Sequence, residues 1–196
     1  MTLSTEPQVA SEERRYRLSH TGELFPRGFK PASAPRIEAD TEANPFPTWE
    51  GQPGLAQAFI KHDEAVFCRD GSGVVPMSVK EVVRLRSART IGCKICSNTR
   101  NAVALQQGVT EEILDQVTDQ YEQSELTETQ KVALRYADSI LFSRPPSDEL
   151  KKDLLDHFTT EQLVELTLFV SQCRVFAAVT IVLGIQPDEM PEKWVH

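Results

Sequence analysis

The sequence predicts an all-α fold, a bundle of helices joined by short loops. Helix-start signals recur, with Ser or Thr followed three residues later by Glu or Gln at Ser78, Thr127 and Thr159. Gly92 and Gly108 stand where helices typically end. No stretch combines strand alternation with hairpin turns. These observations favour helix packed on helix around one core.

Apolar spacing and the start and stop signals together place seven helices. They cover about 54–68, 78–92 and 93–108, begin again at Thr110, Thr127 and Ser147, and end with a long helix from Thr159. The longest apolar run, 163–185, is interrupted by Glu165 and Arg174, and charge near the middle of a membrane span is costly. We therefore expect a buried core helix there and no membrane partner.

The chain divides into an arm and one domain. Its 196 residues and 40% hydrophobic content suffice for a single core. Seven of the twelve prolines fall in the first 53 residues, without a sustained apolar period. We predict an extended Pro-rich arm over 1–53 and a helical domain over 54–196.

The net charge and the N-terminal sequence allow predictions of the binding partners and the cellular compartment. Twenty-nine acidic and 21 basic residues give a net charge of -8, which works against nucleic acid as a partner. The first residues lack the basic start and apolar stretch of a secretory signal. Four cysteines are too few for a disulfide scaffold, so we expect a cytoplasmic protein.

Cys93 and Cys96 form the one close cysteine pair. After a helix stop they would occupy the first turn of the next helix, where free N–H groups and the dipole stabilise a thiolate. Two residues apart, they could close a disulfide, and one could resolve an oxidised form of the other. The pair predicts dithiol redox chemistry.

Two other interpretations of the pair stay open. It could be half of a zinc site, which would need two further ligands from Cys68, Cys173 and the histidines, although the chain has no second paired motif. It could also be two small buried residues. We interpret Cys68 and Cys173 as packing residues and expect neither metal nor organic cofactor.

Eleven residues separate Glu81 from Cys93. With this spacing the chain resembles the AhpD-like branch of the carboxymuconolactone decarboxylase family, whose redox core is Glu, eleven residues, Cys-x-x-Cys, three residues, His. The resemblance extends through 108–113, 126–137, 158–168 and 183–185 and covers roughly residues 54–187. It implies an all-helical trimer or hexamer that reduces peroxides or other disulfide partners and is recharged by a dithiol reductant.

The resemblance also implies roles for single residues. Cys96 would attack the peroxide, Cys93 would resolve the product, and Glu81 would be the carboxylate end of a proton relay. The relay histidine of the family is replaced here by Arg100. Arginine does not give up its proton, so Arg100 could hold a thiolate by charge but could not act as its base.

Two structural alternatives compete with these roles. A capping box between Ser78 and Glu81 would explain Glu81 without chemistry. Arg100 could be an ordinary solvated helix residue. Four residues after Cys96, it would share that helix face, so an ion pair with Glu81 across a helix hairpin is a further expectation. His62 lies on an apolar stripe and is expected in the core or a pocket.

The three arginines of the second helix are expected on a solvated basic face. They are Arg84, Arg86 and Arg89, which could alternatively favour an anionic substrate. The leading function is a thiol-dependent oxidoreductase acting on a small peroxide or disulfide. The alternatives are a decarboxylase-type enzyme on a small carboxylated or lactone substrate, and a non-catalytic oligomeric binding protein.

Overall fold

A computed structural model of the chain describes residues 53–182 and the pair Trp194–Val195. The arm predicted for residues 1–53 lies outside the described residues, apart from Pro53. The elements in chain order are α1 (Pro53–Phe67), α2 (Met77–Ile91), α3 (Lys94–Asn98), β1 (Thr99–Arg100), α4 (Ala102–Gln106), α5 (Glu111–Asp115), a 3-10 helix (Tyr121–Gln123), α6 (Glu128–Leu141), α7 (Asp148–His157), α8 (Thr160–Val182) and β2 (Trp194–Val195). The predicted all-α fold is confirmed.

Helix α2 is the centre of the bundle. It packs against α6 and α8, while α8 also contacts α1 and α6 also contacts α7. Val82, Val83 and Leu85 are fully buried, and 11 of the 15 residues of α2 are buried. Because α2 is enclosed on all sides, its sequence shows no apolar stripe, and only its ends mark it as a helix.

Most of the predicted helix ends are confirmed. Gly92 adopts φ +84°, the left-handed conformation that glycine enters at little cost, and ends α2. Thr127 and Gln130 form a capping box at the start of α6. Ser147 caps α7 by accepting a hydrogen bond from the Leu150 amide.

The predicted capping box of α2 is wrong. The residue that precedes the helix is Pro76, which offers no side-chain cap, and the backbone amide of Ser78 instead donates to the side-chain oxygen of Gln107 at 2.8 Å. Proline fixes φ near the helical value and has no N–H of its own, so the start needs less help from a cap. Glu81 is therefore free for another partner.

The single helix predicted over 93–108 is also wrong. It is split into the short helices α3 and α4 by Thr99 and Arg100, which form a two-residue parallel strand with Trp194 and Val195. Asn101 then starts α4 by accepting a hydrogen bond from the Ala104 amide. A pairing this short leaves no alternation in the sequence, so the signal for it was absent.

A buried ion pair ties α2 to α8. Lys80, whose side chain is fully buried, pairs with Glu165 and donates to the carbonyls of Val66 at 3.0 Å and Phe67 at 3.2 Å. A Cβ at Gly73 would collide with the Glu165 carboxylate and approach Lys80 Nζ to 2.8 Å. Glycine is required there because the loop backbone runs directly over the pair.

Helix α8 has two different faces. Leu166 and Phe169 are buried in the core, whereas Val164, Leu168 and Val182 are exposed. Among the described helices, α8 meets the length and composition of a membrane span, a test that core helices of soluble proteins also pass. The position of α8 against α2 and α6 makes it part of the bundle core.

We expect Glu165→Gln to destabilise the protein by about 3 kcal/mol, because it leaves the buried ammonium of Lys80 without its countercharge. The matched control is Asp148→Asn, which removes the exposed pair with Lys151 and should change the free energy of unfolding far less, because solvent screens that pair. Urea unfolding followed by circular dichroism measures both. Equal effects of the two substitutions would contradict the structural role of Lys80.

Candidate functional site

The cysteine pair lies at the start of α3, as the sequence predicts. Cys93 is the N-cap residue and accepts a hydrogen bond from the Cys96 amide on its sulfur at 3.2 Å. The two cysteines form a disulfide, with their Cα atoms 5.3 Å apart. The sequence after Gly92 therefore places both sulfur atoms in one helical turn, within bridging distance.

The two cysteines differ in access. Cys93 is fully buried, and its sulfur lies 3.6 Å from the Thr180 hydroxyl of α8. Cys96 is half-buried and lines a pocket of about 40 Å³. The other lining residues are Phe67, Arg69, Arg84, Ala88, Ile95, Thr99, Cys173 and Phe176. A small molecule in this pocket would meet Cys96 before Cys93.

Arg84 links α2 to the redox helix. Its guanidinium donates two hydrogen bonds of 2.8 Å to Glu81, one to the Cys96 carbonyl and one of 2.6 Å to the Thr99 carbonyl. Burial lowers the pKa of Arg84, but the charge and hydrogen bonds of Glu81, with a smaller contribution from Cys173, together raise that pKa above its ordinary value. Arg84 is thus a permanent charge that fixes the end of α3.

The predicted ion pair between Arg100 and Glu81 is wrong. Arg100 forms a two-pronged ion pair with Glu111, at 2.6 and 3.0 Å, and donates to the carbonyls of Ser97 and Thr99 at 2.8 Å each. The strand that begins at Thr99 interrupts the helical spacing from Cys96 to Arg100. Arg100 supports the backbone after α3 and is not among the residues that line the pocket.

Glu81 is placed by two neighbours. Besides the ion pair with Arg84, its carboxylate accepts a hydrogen bond of 3.4 Å from the Asn101 amide. Only 1% of Glu81 is exposed, so this carboxylate depends on its partners for compensation. Glu81 therefore belongs to the site, and Arg84 connects it to the backbone of Cys96.

Cys173 lies in the same pocket as Cys96. Burial raises the pKa of the Cys173 thiol to about 12, and the charge of Arg84 opposes that rise. Cys173 therefore remains a protonated, unreactive thiol at neutral pH and belongs to the core, as the sequence predicts. Cys68 is half-buried at the end of α1, and its thiol contacts the Ala65 carbonyl at 3.2 Å.

A polar network runs from the pocket to the surface. Arg69 donates to Asp63 at 2.9 Å, and the amide of Gln172 donates to the other oxygen of Asp63 at 3.4 Å. Gln172 in turn contacts Nδ1 of His62 at 3.1 Å. His62 itself is exposed, so its predicted place in the core is wrong.

The burial and the ion-pair partners of the arginines in this region were not predicted from the sequence. The solvated basic face predicted on α2 is wrong for Arg84 and for Arg86, since Arg86 is buried and pairs with Asp119 and Asp138. Only Arg89 is exposed as expected. The available signal was the density of charge on a helix that must pass through the core, because such charges need partners.

No cluster of three or more potential metal ligands occurs in residues 53–182. Cys96 lies in a mostly apolar lining that also contains the guanidinium groups of Arg69 and Arg84. The geometry of the described site is that of a dithiol at a helix start, next to a small pocket.

Fold and site together define a helical protein of the AhpD-like fold with a Cys-x-x-Cys pair. A solved structure of an uncharacterized peroxidase-related protein from Ralstonia eutropha JMP134, described as an alkylhydroperoxidase AhpD core, aligns with a TM-score of 0.61 and 18% identity over 74% of this chain and 76% of that one. ATU0492 from Agrobacterium tumefaciens is a protein of unknown function provisionally linked to antioxidant defence as AhpD. It aligns with a TM-score of 0.59 and 17% identity over 74% of this chain and 97% of that one.

Sequence relatives are more limited. The uncharacterized proteins MT2376 and Rv2313c, from two strains of Mycobacterium tuberculosis, are each 30% identical to this chain over 89 residues. That match covers 44% of this chain and 31% of each relative. No protein-family model matches the chain. The likeness to solved structures establishes the AhpD-like fold.

We expect Glu81→Gln to destabilise the protein by about 3 kcal/mol, because it removes the countercharge of buried Arg84. Ser78→Ala should change the free energy of unfolding by about 0.5 kcal/mol or less, since the Ser78 side chain does not cap α2. Urea unfolding of the oxidised protein measures both. If Ser78→Ala instead cost about 1 kcal/mol and Glu81→Gln cost nothing, the result would contradict the ion-pair role of Glu81 and support a capping box at the start of α2.

Proposed function

We propose that the protein is a thiol-dependent oxidoreductase that reduces a small peroxide or disulfide with the Cys93–Cys96 pair. The observation that carries the proposal is the unequal access of two cysteines in one turn. Cys96 lines the pocket, and Cys93 is buried within bridging distance behind it. That is the arrangement needed for an attacking and a resolving thiol.

The chemistry starts from the reduced pair. The Cys96 thiolate attacks the terminal oxygen of a hydroperoxide, an S–O bond forms, and the O–O bond breaks. The leaving alkoxide takes a proton from water, and Cys96 becomes a sulfenic acid. Cys93 then attacks the Cys96 sulfur, forming the disulfide and releasing water. A dithiol reductant supplies two electrons and two protons to restore both thiols.

Charge near the pocket supports the first step without supplying a proton. Arg84 lines the pocket with Cys96 and keeps its proton, so it stabilises negative charge but is not a general acid. Glu81 is committed to Arg84, and Arg100 to Glu111. Among the residues that the structure describes, no histidine lines the pocket, so we propose that solvent protonates the leaving oxygen.

We expect wild-type protein to consume an organic hydroperoxide in the presence of dithiothreitol, and Cys96→Ser to reduce the rate to that without protein. Cys93→Ser that is first reduced and then freed of dithiothreitol should consume one equivalent of peroxide and stop as a sulfenic acid, because the resolving thiol is missing, whereas wild type treated in the same way should stop as the disulfide. Peroxide loss and mass spectrometry follow both events.

Cys173→Ser is the matched control, and we expect it to keep the wild-type rate because the Cys173 thiol does not ionise at neutral pH. Equal peroxide consumption by wild type and Cys96→Ser would contradict the proposed chemistry. That result would favour a decarboxylase-type reaction or a non-catalytic binding role on the same fold.

We also propose that the protein is a homo-oligomer, a trimer or hexamer, in which a second copy covers the exposed face of α8. That face carries four exposed apolar residues, Val164, Leu168, Val175 and Val182. Each lies one or more three- or four-residue helical steps from the next, so all four are on the same side of α8. An apolar stripe of this kind can pack against the same stripe of another copy around a symmetry axis.

We expect light scattering to give a mass well above the 22.0 kDa of one chain. Leu168→Glu should lower that mass, because it places a charge within the stripe. Leu155→Glu is the matched control, since Leu155 is exposed on α7, outside the stripe. A mass of one chain for the wild type, or equal masses for both variants, would contradict this assembly.

A further inference from the structure

The pocket beside Cys96 contains a buried donor without an acceptor. Nε of Arg69 is buried and forms no hydrogen bond with the residues that the structure describes. Only 7% of Arg69 is exposed, and the residue lines the pocket together with Cys96. An unpaired buried donor costs about 1 to 3 kcal/mol, so this N–H is poised for an acceptor supplied from outside.

Arg69 is held in one orientation by its neighbours. Its Nη1 donates to Asp63, and its guanidinium lies 4.3 Å from the centre of the Phe67 ring. Its backbone carbonyl accepts a hydrogen bond of 3.1 Å from the Asn101 side chain. The ion pair with Asp63 occupies Nη1, while Nε stays unpaired on a residue that lines the pocket.

The two pocket arginines have different roles. Arg84 uses its Nε, Nη1 and Nη2 atoms on Glu81 and on the carbonyls of Cys96 and Thr99. Arg69 alone of the two retains an unpaired nitrogen. The recognition capacity of the pocket therefore lies with Arg69, whereas Arg84 serves the protein backbone.

The chemistry of the unpaired Nε of Arg69 indicates the ligand. The Nε edge of a guanidinium presents two parallel N–H groups, which match the two oxygens of a carboxylate. The rest of the lining is mostly apolar, with Phe67, Ile95 and Phe176, and the space is about 40 Å³. A compact organic acid fits this combination better than a large or highly charged group.

We infer that the pocket is a carboxylate subsite in which Arg69 binds the acid group of a small organic substrate, with the reactive atom of that substrate at Cys96. This inference deepens the proposed function and rests on it for the identity of the reactive group. The substrate class is a small carboxylate that carries a hydroperoxide or a disulfide. Arg69 contributes binding and orientation, and the redox step remains that of Cys96 and Cys93.

Alkylation of the reduced protein tests the subsite without any peroxide turnover. Iodoacetate and iodoacetamide both form an S–C bond with Cys96 and expel iodide, but only iodoacetate carries a carboxylate. We expect the ratio of their rates at Cys96 to be higher in the folded protein than in the urea-unfolded protein. Arg69→Met should lower that ratio roughly tenfold, the loss expected for one charge-assisted hydrogen bond.

Two variants control for charge and for folding. Arg89→Met removes an arginine outside the pocket lining and should leave the ratio unchanged. Arg69→Met leaves the buried Asp63 carboxylate without its ion-pair partner and could therefore prevent folding. The double variant Asp63→Asn with Arg69→Met avoids that unpaired charge, and its ratio is compared with that of Asp63→Asn alone. A ratio that is the same with and without Arg69 would overturn the inference.

Competition in the wild-type protein gives an independent readout. Propionate should slow the reaction of Cys96 with iodoacetamide, whereas propionamide at the same concentration should not. No protection by propionate, or equal protection by both, would overturn the subsite. A protein that shows carboxylate preference but consumes no peroxide would retain this inference and lose the proposed function, so the two failures are distinguishable.

Discussion

Glu81 and Arg84 meet one turn apart on α2 through two hydrogen bonds of 2.8 Å, in a region where Glu81 is 1% exposed and Arg84 is 7% exposed. A helix of five residues such as α3 is too short to be stable alone. Arg84 holds the carbonyls of Cys96 and Thr99, and Glu81 keeps Arg84 oriented and charge-balanced. The position of both cysteines therefore depends on an ion pair in the neighbouring helix.

The same principle organises the rest of the bundle. Lys80 and Arg86 also project from α2, and their carboxylate partners come from other helices, Glu165 on α8 and Asp138 on α6. Buried pairs of this kind add little net stability, but separating them is costly because each leaves a charge without compensation. The charges thus restrict which helices can pack against α2. Apolar packing alone would be less selective.

Sequence reasoning located the features that depend on local chemistry. The caps at Thr127 and Ser147, the end at Gly92 and the cysteine turn are encoded within three or four residues, and the structure contains them. It failed where partners come from far along the chain. The strand at Thr99 depends on residues near 195, and the partners of the arginines are set by tertiary packing, which one sequence does not reveal.

The parallel pairing of β1 with β2 has a consequence for how the molecule is made. Residues 99–100 directly follow the redox helix, yet their backbone partners, residues 194–195, leave the ribosome about 95 residues later. Contacts this distant in sequence form late because their loop-closure entropy must be overcome first. During synthesis the cysteine turn and Arg84, which holds its backbone, are therefore made well before the strand partner of Thr99 and Arg100, so the segment that follows the cysteines acquires its last backbone contacts late.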